Sequence, residues 1–344
     1  MRVGICGYPG SGKTTVFSAL APGARPDGKG VTYGNIKVPD DRVERLARIF
    51  SPKKKTLAEI SFVDVGNSGA AGKGAFPPEV LQNMRNMDVL VHVVRVFDNP
   101  MLAERPDPER DVSLFSDEIV LLDHTILEKR AARWKKENRK GLDVDVNERC
   151  VACLEDGRPL RELELTADEL ATLTGIQLLS IRPLITLYNL SEDAWDDEEF
   201  APLKEVVRGT NQVSLALSGS IEAEVAEMDE EEQVEFLQEL GLGEPARNPF
   251  IREAYALLDL ISFLTAGQDE CRAWTVRRGS NARKAAGRIH SDIERGFIRA
   301  EVYRVDELEE AGTEAELKKV GKIRVEGKEY VAQDGDVMHF RFNV

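Results

Sequence analysis

Hydrophobic and polar positions along this chain follow two rhythms. As far as about residue 218, short apolar runs alternate with longer stretches of helical repeat. Arg2 to Cys6 (RVGIC) reads as a buried strand and Thr15 to Leu20 as the start of a helix. NIKVP then suggests a strand, Asp41 to Phe50 a short amphipathic helix, and Ala58 to Val65 another strand. Asp88 to Phe97 (DVLVHVVRVF) is apolar almost throughout, as a central parallel strand covered on both faces would be. His92 inside it reads as a hydrogen-bonded core residue. Asp111 to about Lys140 is helical, and Thr166 to Leu179 reads as a second helix, with Thr166 and Glu169 spaced as a capping box. Arg182 to Asn189 and Asn211 to Ser218 resume the strand pattern, and Phe250 to Leu264 reads as a helix. Beyond it CRAWTVRRG, FIRAEVYRV, KIRVEGKEYV and DVMHFRFNV alternate at period two between glycine turns. The expected fold class is α/β: a doubly wound, mostly parallel sheet interrupted by a helical hairpin, followed by a small α+β domain.

One loop carries most of the chemistry. Gly7-Tyr8-Pro9-Gly10-Ser11-Gly12-Lys13-Thr14 fits G-x-x-x-x-G-K-[ST], with a strand before it and a helix after. Glycines there let backbone N–H groups turn onto an anion, and the helix N-terminus adds partial positive charge. Gly10, Ser11, Gly12, Lys13, Thr14 and Thr15 are therefore candidate phosphate contacts. Lys13 is the candidate catalytic cation, and Thr14 a candidate Mg²⁺ ligand. In a doubly wound sheet ligands bind at the carboxyl ends of the strands. Asp64, Asn189 and Ser218 close three other strands, so they are expected beside this loop. The stretches at 21–34 and 66–78 are rich in glycine and read as flexible loops.

Composition narrows the class. With 42% apolar and 31% charged residues the chain looks globular, and no apolar run reaches the ~18 residues of a membrane span. No signal-peptide pattern opens the sequence, so a cytoplasmic protein without membrane contact is expected, and no heptad seam argues against a monomer. Cys150 and Cys153 form a lone C-x-x-C, best read as buried helix positions. The net charge of −15 argues against indiscriminate nucleic-acid binding. Charge is nevertheless unevenly placed: Ile221 to Glu239 holds nine acidic residues and no basic one. Cys271 to Val305 is basic, with Arg277, Arg278, Arg283, Lys284 and Arg288, and a second basic run includes Arg133, Lys135 and Lys136. Such runs are usually solvated faces, yet two in an acidic chain nominate a polyanion site.

FLTAGQDECRAWTVRRGSNARKAAGRIHSDIERGFIRAEV and GKIRVEGKEYVAQDGDVMHFRFNV closely resemble the end of the YchF subfamily of Obg-like ATPases. IEAEVAEMDEEEQVEFLQELGL, YNLSE, MDVLVHVVRVFD and the phosphate loop extend the resemblance over nearly the whole chain. It implies a Ras-like, Obg-type G-domain at 1–110 and 180–262, an inserted helical domain at 111–179, and a β-grasp TGS domain at 263–344. TGS domains are associated with ribosomes and RNA, so the basic residues named above become expected ribosome or RNA contacts lining a cleft. The resemblance also implies ATP with Mg²⁺, ATP being preferred to GTP. Asn189-Leu190-Ser191-Glu192 resembles the family's N-x-x-E in place of the guanine-reading N-K-x-D. Leu190 stands where a lysine would stack over the base, and the Asn189 amide suits a purine's N7 and exocyclic amine. Asn189, Leu190, Glu192 and Ser218 are thus expected at the nucleotide. A turn-capping role is an alternative for Asn189 and Glu192. Thr32 is the candidate switch threonine beside Mg²⁺, with Asp64 and Thr14.

The chain also departs from the family. Gly10-Ser11 replaces Asn-Val, removing the asparagine tied to potassium activation, and Asn67 stands in place of the D-x-x-G glycine. Ser68 is a poor orienter of water, and the loop from Asp98 to Asp111 lacks the histidine proposed for the family. Slow hydrolysis is expected, with no general base assigned. A nucleotide-stabilised scaffold without turnover is the main alternative, and a small-molecule kinase using Arg105 or Arg110 a lesser one.

Overall fold

The computed structural model describes residues 1–21, 24, 31–66, 76–193 and 198–343. Most of the two glycine-rich loops, with Asn67 and Ser68, lies outside the described residues. The chain divides into one unit of Met1–Ile36 with Ser61–Leu257 and another of Lys37–Ile60 with Leu258–Val344.

The first unit is built on a seven-stranded sheet. Its order is β2 (Thr32–Lys37), β4 (Glu59–Asp64), β1 (Arg2–Cys6), β5 (Val89–Arg95), β6 (Leu184–Asn189), β8 (Gln212–Leu217) and β7 (Val207–Gly209). β4, β1, β5, β6 and β8 are mutually parallel, and β7 closes the edge antiparallel to β8. All seven residues of β5 are buried, as its continuous apolar run requires. Register puts Ile5 beside Asp64, Cys6 beside His92, and Asn189 beside both Arg95 and Leu217. β5, β6 and β8 therefore end level at Arg95, Asn189 and Leu217, while β4 and β1 end lower in register, Asp64 and Ile5 lying level with Val91 and Ile185.

A hairpin of α4 (Pro108–Lys136) and α5 (Leu142–Glu155) separates β5 from β6. Its core holds Leu127, Val146, Cys150, Cys153 and Leu160. Burial raises both thiol pKa values, to about 11 for Cys150, which suits the structural reading of the C-x-x-C. Asp123 on α4 is fully buried and accepts from Leu179 N, Ser180 N and Ser180 Oγ, fastening the hairpin's return. The Thr166 and Glu169 capping box is present, but the helix it starts, α6, runs only Ala167–Thr172. Gly175 and Gln177 then adopt positive φ, and Ile176 and Leu178 pack into the hairpin core instead of extending the helix.

The second unit centres on a six-stranded mixed sheet. Its order is β12 (Arg324–Glu326), β11 (Phe297–Arg304), β13 (Asp336–Phe342), β9 (Leu260–Thr265), β10 (Glu270–Arg277) and β3 (Lys54–Thr56). Counting the remaining helices in chain order, α11 (Ala282–Ile289) lays Ala282, Ala285 and Ala286 against Ile261, Phe263, Ala300, Val302, Met338 and Phe340. This is the helix-on-sheet layering that a β-grasp fold requires. The other face is covered in part by α2 (Asp41–Phe50) and α13 (Val305–Ala311). Arg45 on α2 pairs with Asp306 and Glu309, and Arg42 with Asp40 and Asp334.

Residues 37–60, placed with the G-domain in the sequence reading, belong to this second unit because β3 pairs with β10. The helix expected over Phe250 to Leu264 ends at Leu257. Asp259 takes a left-handed turn at φ 50°, and Leu260–Thr265 becomes β9 between β10 and β13. Pairing on both sides of β9 overrides the helical repeat.

Candidate nucleotide site

The phosphate loop joins β1 to α1 (Lys13–Leu20), and its geometry is that of an anion cradle. Gly10 and Gly12 sit at φ 77° and 82°, a region that side chains disfavour. Space is as restrictive as conformation. A Cβ on Gly12 would lie 2.2 Å from Asn189 Nδ2, and one on Gly10 would lie 2.5 Å from Leu102 Cδ1. Lys13 is buried, and its Nζ donates to Tyr8 O at 3.1 Å. Burial lowers the Lys13 pKa, opposed by Asp64, whose own carboxyl is raised by burial against the Gly66 N–H and Lys13. The Lys13 ammonium and the half-buried Asp64 carboxyl thus each act on the other's charge. Thr14 and Thr15 are exposed at the start of α1.

Asn189 closes β6 and is 4% exposed. Its Nδ2 donates to Ser11 O at 3.0 Å, and its Oδ1 accepts from Gly219 N at 3.0 Å. The amide therefore braces the phosphate loop against α8 (Gly219–Glu227), keeping one donor hydrogen and one lone pair for a ligand. Ser218 is buried and caps α8, accepting from Ile221 N. Leu190 is 1% exposed and packs with Val96 and Ala216. Its side chain is core, which corrects the expectation of a group presented to the base. Glu192 is exposed. Thr32 opens β2, the strand neighbouring the one that ends in Asp64.

Several residues near the loop escaped the sequence reading. Phe97 Cε1, Asn99 Nδ2 and Leu102 Cδ1 all reach the glycine faces of the loop, so the segment after β5 lies against it. Buried Arg95 holds that segment by donating to Glu104 O at 2.8 Å and Phe97 O at 3.4 Å. The turn signal Asp98-Asn99-Pro100 hints at a bend there, but nothing local tells where it folds. Beneath the loop, Tyr8 stacks on Phe76 at 5.5 Å and meets His92 edge-on at 5.8 Å, while His92 stacks on Phe115 at 4.1 Å. The Tyr8 hydroxyl and both His92 nitrogens have no hydrogen-bond partner among the described residues. His92 is thus a core residue held by stacking, not by the hydrogen bonds expected of it. Burial, aided by Lys13, lowers its pKa to about 3.

Among the described residues no group of three or more His, Cys, Asp or Glu is placed to hold a metal.

The two basic runs lie one in each unit. Arg133, Lys135 and Lys136 are exposed near the end of α4, around a buried Trp134 flanked by Arg130 at 4.0 Å and Arg139 at 4.8 Å. In the second unit Arg277, Arg278, Arg283, Lys284 and Arg288 are all exposed. Arg278 pairs with Asp259, whereas Arg283 and Arg288 donate to the carbonyls of Glu294 and Thr275. Among the described residues no helix is long and apolar enough to cross a membrane.

The sequence profile of the YchF GTPase C-terminal family, described as a protein of unknown function, matches residues 260–343. The ribosome-binding ATPase YchF of Pasteurella multocida is 36% identical over 361 residues, spanning 100% of this chain and 99% of that protein. That of Bacillus subtilis is 35% identical over 364 residues, spanning 100% of both. Among solved structures, the Schizosaccharomyces pombe YchF GTPase superposes with a TM-score of 0.88 at 27% identity, covering 99% of this chain and 97% of that one.

Proposed function

The chain belongs to the YchF family, and on that premise we propose that it is a ribosome-associated P-loop NTPase that binds ATP in preference to GTP and hydrolyses it slowly. The observation that carries this reading is the buried Lys13 ammonium, aimed at Tyr8 O within a loop that Asn189 braces. On nucleotide binding Lys13 exchanges that carbonyl for phosphate oxygens, and the loop's N–H groups take the remaining lone pairs. Thr14 and Asp64, with Thr32 as the third candidate, would hold Mg²⁺, which when bound would neutralise the developing charge. Asn189 turns its spare donor and acceptor toward the base, which suits adenine's N7 and amine. Rate enhancement comes from position and charge, so turnover stays slow without a dedicated group to orient water. The exposed basic groups of α4 and α11 supply phosphate contacts on the ribosome, with affinity falling steeply as salt rises.

A second reading, a nucleotide-stabilised scaffold without turnover, is favoured by one observation. His92, the histidine on β5, is buried and neutral, and the segment after it contains none. Single-turnover hydrolysis of ATP and GTP side by side, in Mg²⁺ and with a Lys13→Ala control, separates the two. ATP-selective, Lys13-dependent turnover supports the switch; tight binding with no turnover supports the scaffold.

A further inference from the structure

The second unit carries another basic surface, on the sheet face opposite α11. Side chains alternate between faces along a strand. Ala300, Val302, Met338 and Phe340 enter the core under α11, so Arg299, Glu301, His339 and Arg341 point the other way. Register sets Arg299 directly across from Arg341, and Glu301 across from His339 on β13 and from Val325 on β12. At one end of this face Tyr303 and Val337 are buried, where α13 packs on β11. At the other end Arg299, His339, Arg341 and Val325 are exposed.

The charge on this open end is unbalanced. Like charges directly opposite one another destabilise a sheet, and Arg299 faces Arg341. Glu301 pairs with Arg341 at 3.0 Å, and its carboxyl is held below the usual range first by that bond, then by the charges of Arg341, His339 and Arg299. Glu301 is thus bonded to Arg341 alone and meets Arg299 only through its charge. Arg299 itself has neither ion pair nor side-chain hydrogen bond to any described residue. Paired guanidinium forks match phosphate oxygens bidentately, and same-face residues recur about every 7 Å along a strand, close to the step between neighbouring phosphates.

We propose that the open face formed by Arg299, His339 and Arg341 is a second RNA-phosphate contact, separate from the basic groups around α11. The proposal rests on the reading of the chain as ribosome-associated, and it makes the unit bind RNA through both sides of one sheet. A phosphate bound there relieves the repulsion between Arg299 and Arg341, so the site gains more from RNA than an isolated surface arginine would.

The test uses the full chain, a fluorescein-labelled RNA duplex and salt-washed ribosomes, with melting temperatures to check folding. Arg299→Gln should weaken RNA binding several-fold at low salt and reduce the log–log salt slope by about one. Glu301→Gln releases Arg341 and should tighten binding several-fold, a gain that misfolding cannot mimic. Lys284→Gln with Arg288→Gln serves as the comparison on α11. The proposal is overturned if Arg299→Gln and Glu301→Gln leave RNA affinity unchanged while the α11 variant weakens it. It is also overturned if Arg299→Gln weakens ribosome binding but not RNA binding, which would assign the strip to a ribosomal protein. Failure of the wild-type chain to bind either probe would remove the ribosome-associated reading itself, and the strip with it.

Discussion

Replacing Asn189 by alanine removes the side chain that ties the phosphate loop to the start of α8. Two hydrogen bonds of 3.0 Å are lost, one to Ser11 O and one from Gly219 N. The surroundings are buried, since Asn189 is 4% exposed and Ser11 3%. A buried polar group left unpaired costs ~1–3 kcal/mol, so two such groups should destabilise the first unit by about 2–5 kcal/mol, less wherever water fills the vacated space. The loop would also lose its fixed position, and ATP affinity should fall at least about tenfold, equivalent to roughly 1.4 kcal/mol. Asn189→Asp makes a sharper comparison. It keeps the acceptor for Gly219 N but sets a buried carboxylate oxygen against Ser11 O, so it should be at least as destabilising as alanine and should also lose ATP. Urea unfolding followed by circular dichroism measures the first effect and titration calorimetry the second. Wild-type stability within ~0.5 kcal/mol together with unchanged ATP affinity for Asn189→Ala would refute the bracing argument.

Two further outcomes test the aromatic cluster beneath the loop. The His92 imidazole stays neutral in the fold with its pKa lowered to about 3, whereas an unfolded histidine titrates near 6.5. Stability is therefore intact above pH 6.5 and lost as pH falls from there toward 3, by about 2 kcal/mol at pH 5. His92→Leu should flatten that part of the profile, and identical acid sensitivity in the two proteins would count against the assignment. Tyr8→Phe removes a buried hydroxyl without a partner among the described residues, so the variant should be as stable as wild type or about 1 kcal/mol more so. A loss of 1 kcal/mol on chemical unfolding would mean that the hydroxyl is bonded.

Local signals predicted local features well. The glycine spacing of the phosphate loop, the apolar run of β5 and the capping box at Thr166 each have a cause within a few residues, and each appears where expected. The neighbouring ends of β6 and β8 that bring Asn189 and Ser218 together followed from the parallel topology, whereas the stagger that leaves Asp64 level with Ile185 did not show in the sequence. Features set by distant partners were harder to read. Leu260–Thr265 looks helical by its repeat and becomes a strand because β10 and β13 pair with it. Leu190 was read from its position in a motif, yet Val96 and Ala216, far along the chain, draw its side chain into the core. Leu102 and Asn99 carry no motif at all; only the fold brings them to the glycines.

The assignment of residues 37–60 to the second unit has a consequence for synthesis on the ribosome. Helix α2, whose Val43 and Leu46 are fully buried in the finished fold, leaves the exit tunnel about 200 residues ahead of the strands it packs beside. At ~5–20 residues per second that gap lasts on the order of 10–40 s, during which β3 has no β10 to pair with. For that interval the nascent chain displays an amphipathic helix and an unpaired strand edge, features that holding chaperones and misfolding both seek. The second unit can mature only once β13 has been made, so its folding waits for its last strand even though one of its earliest segments is already exposed.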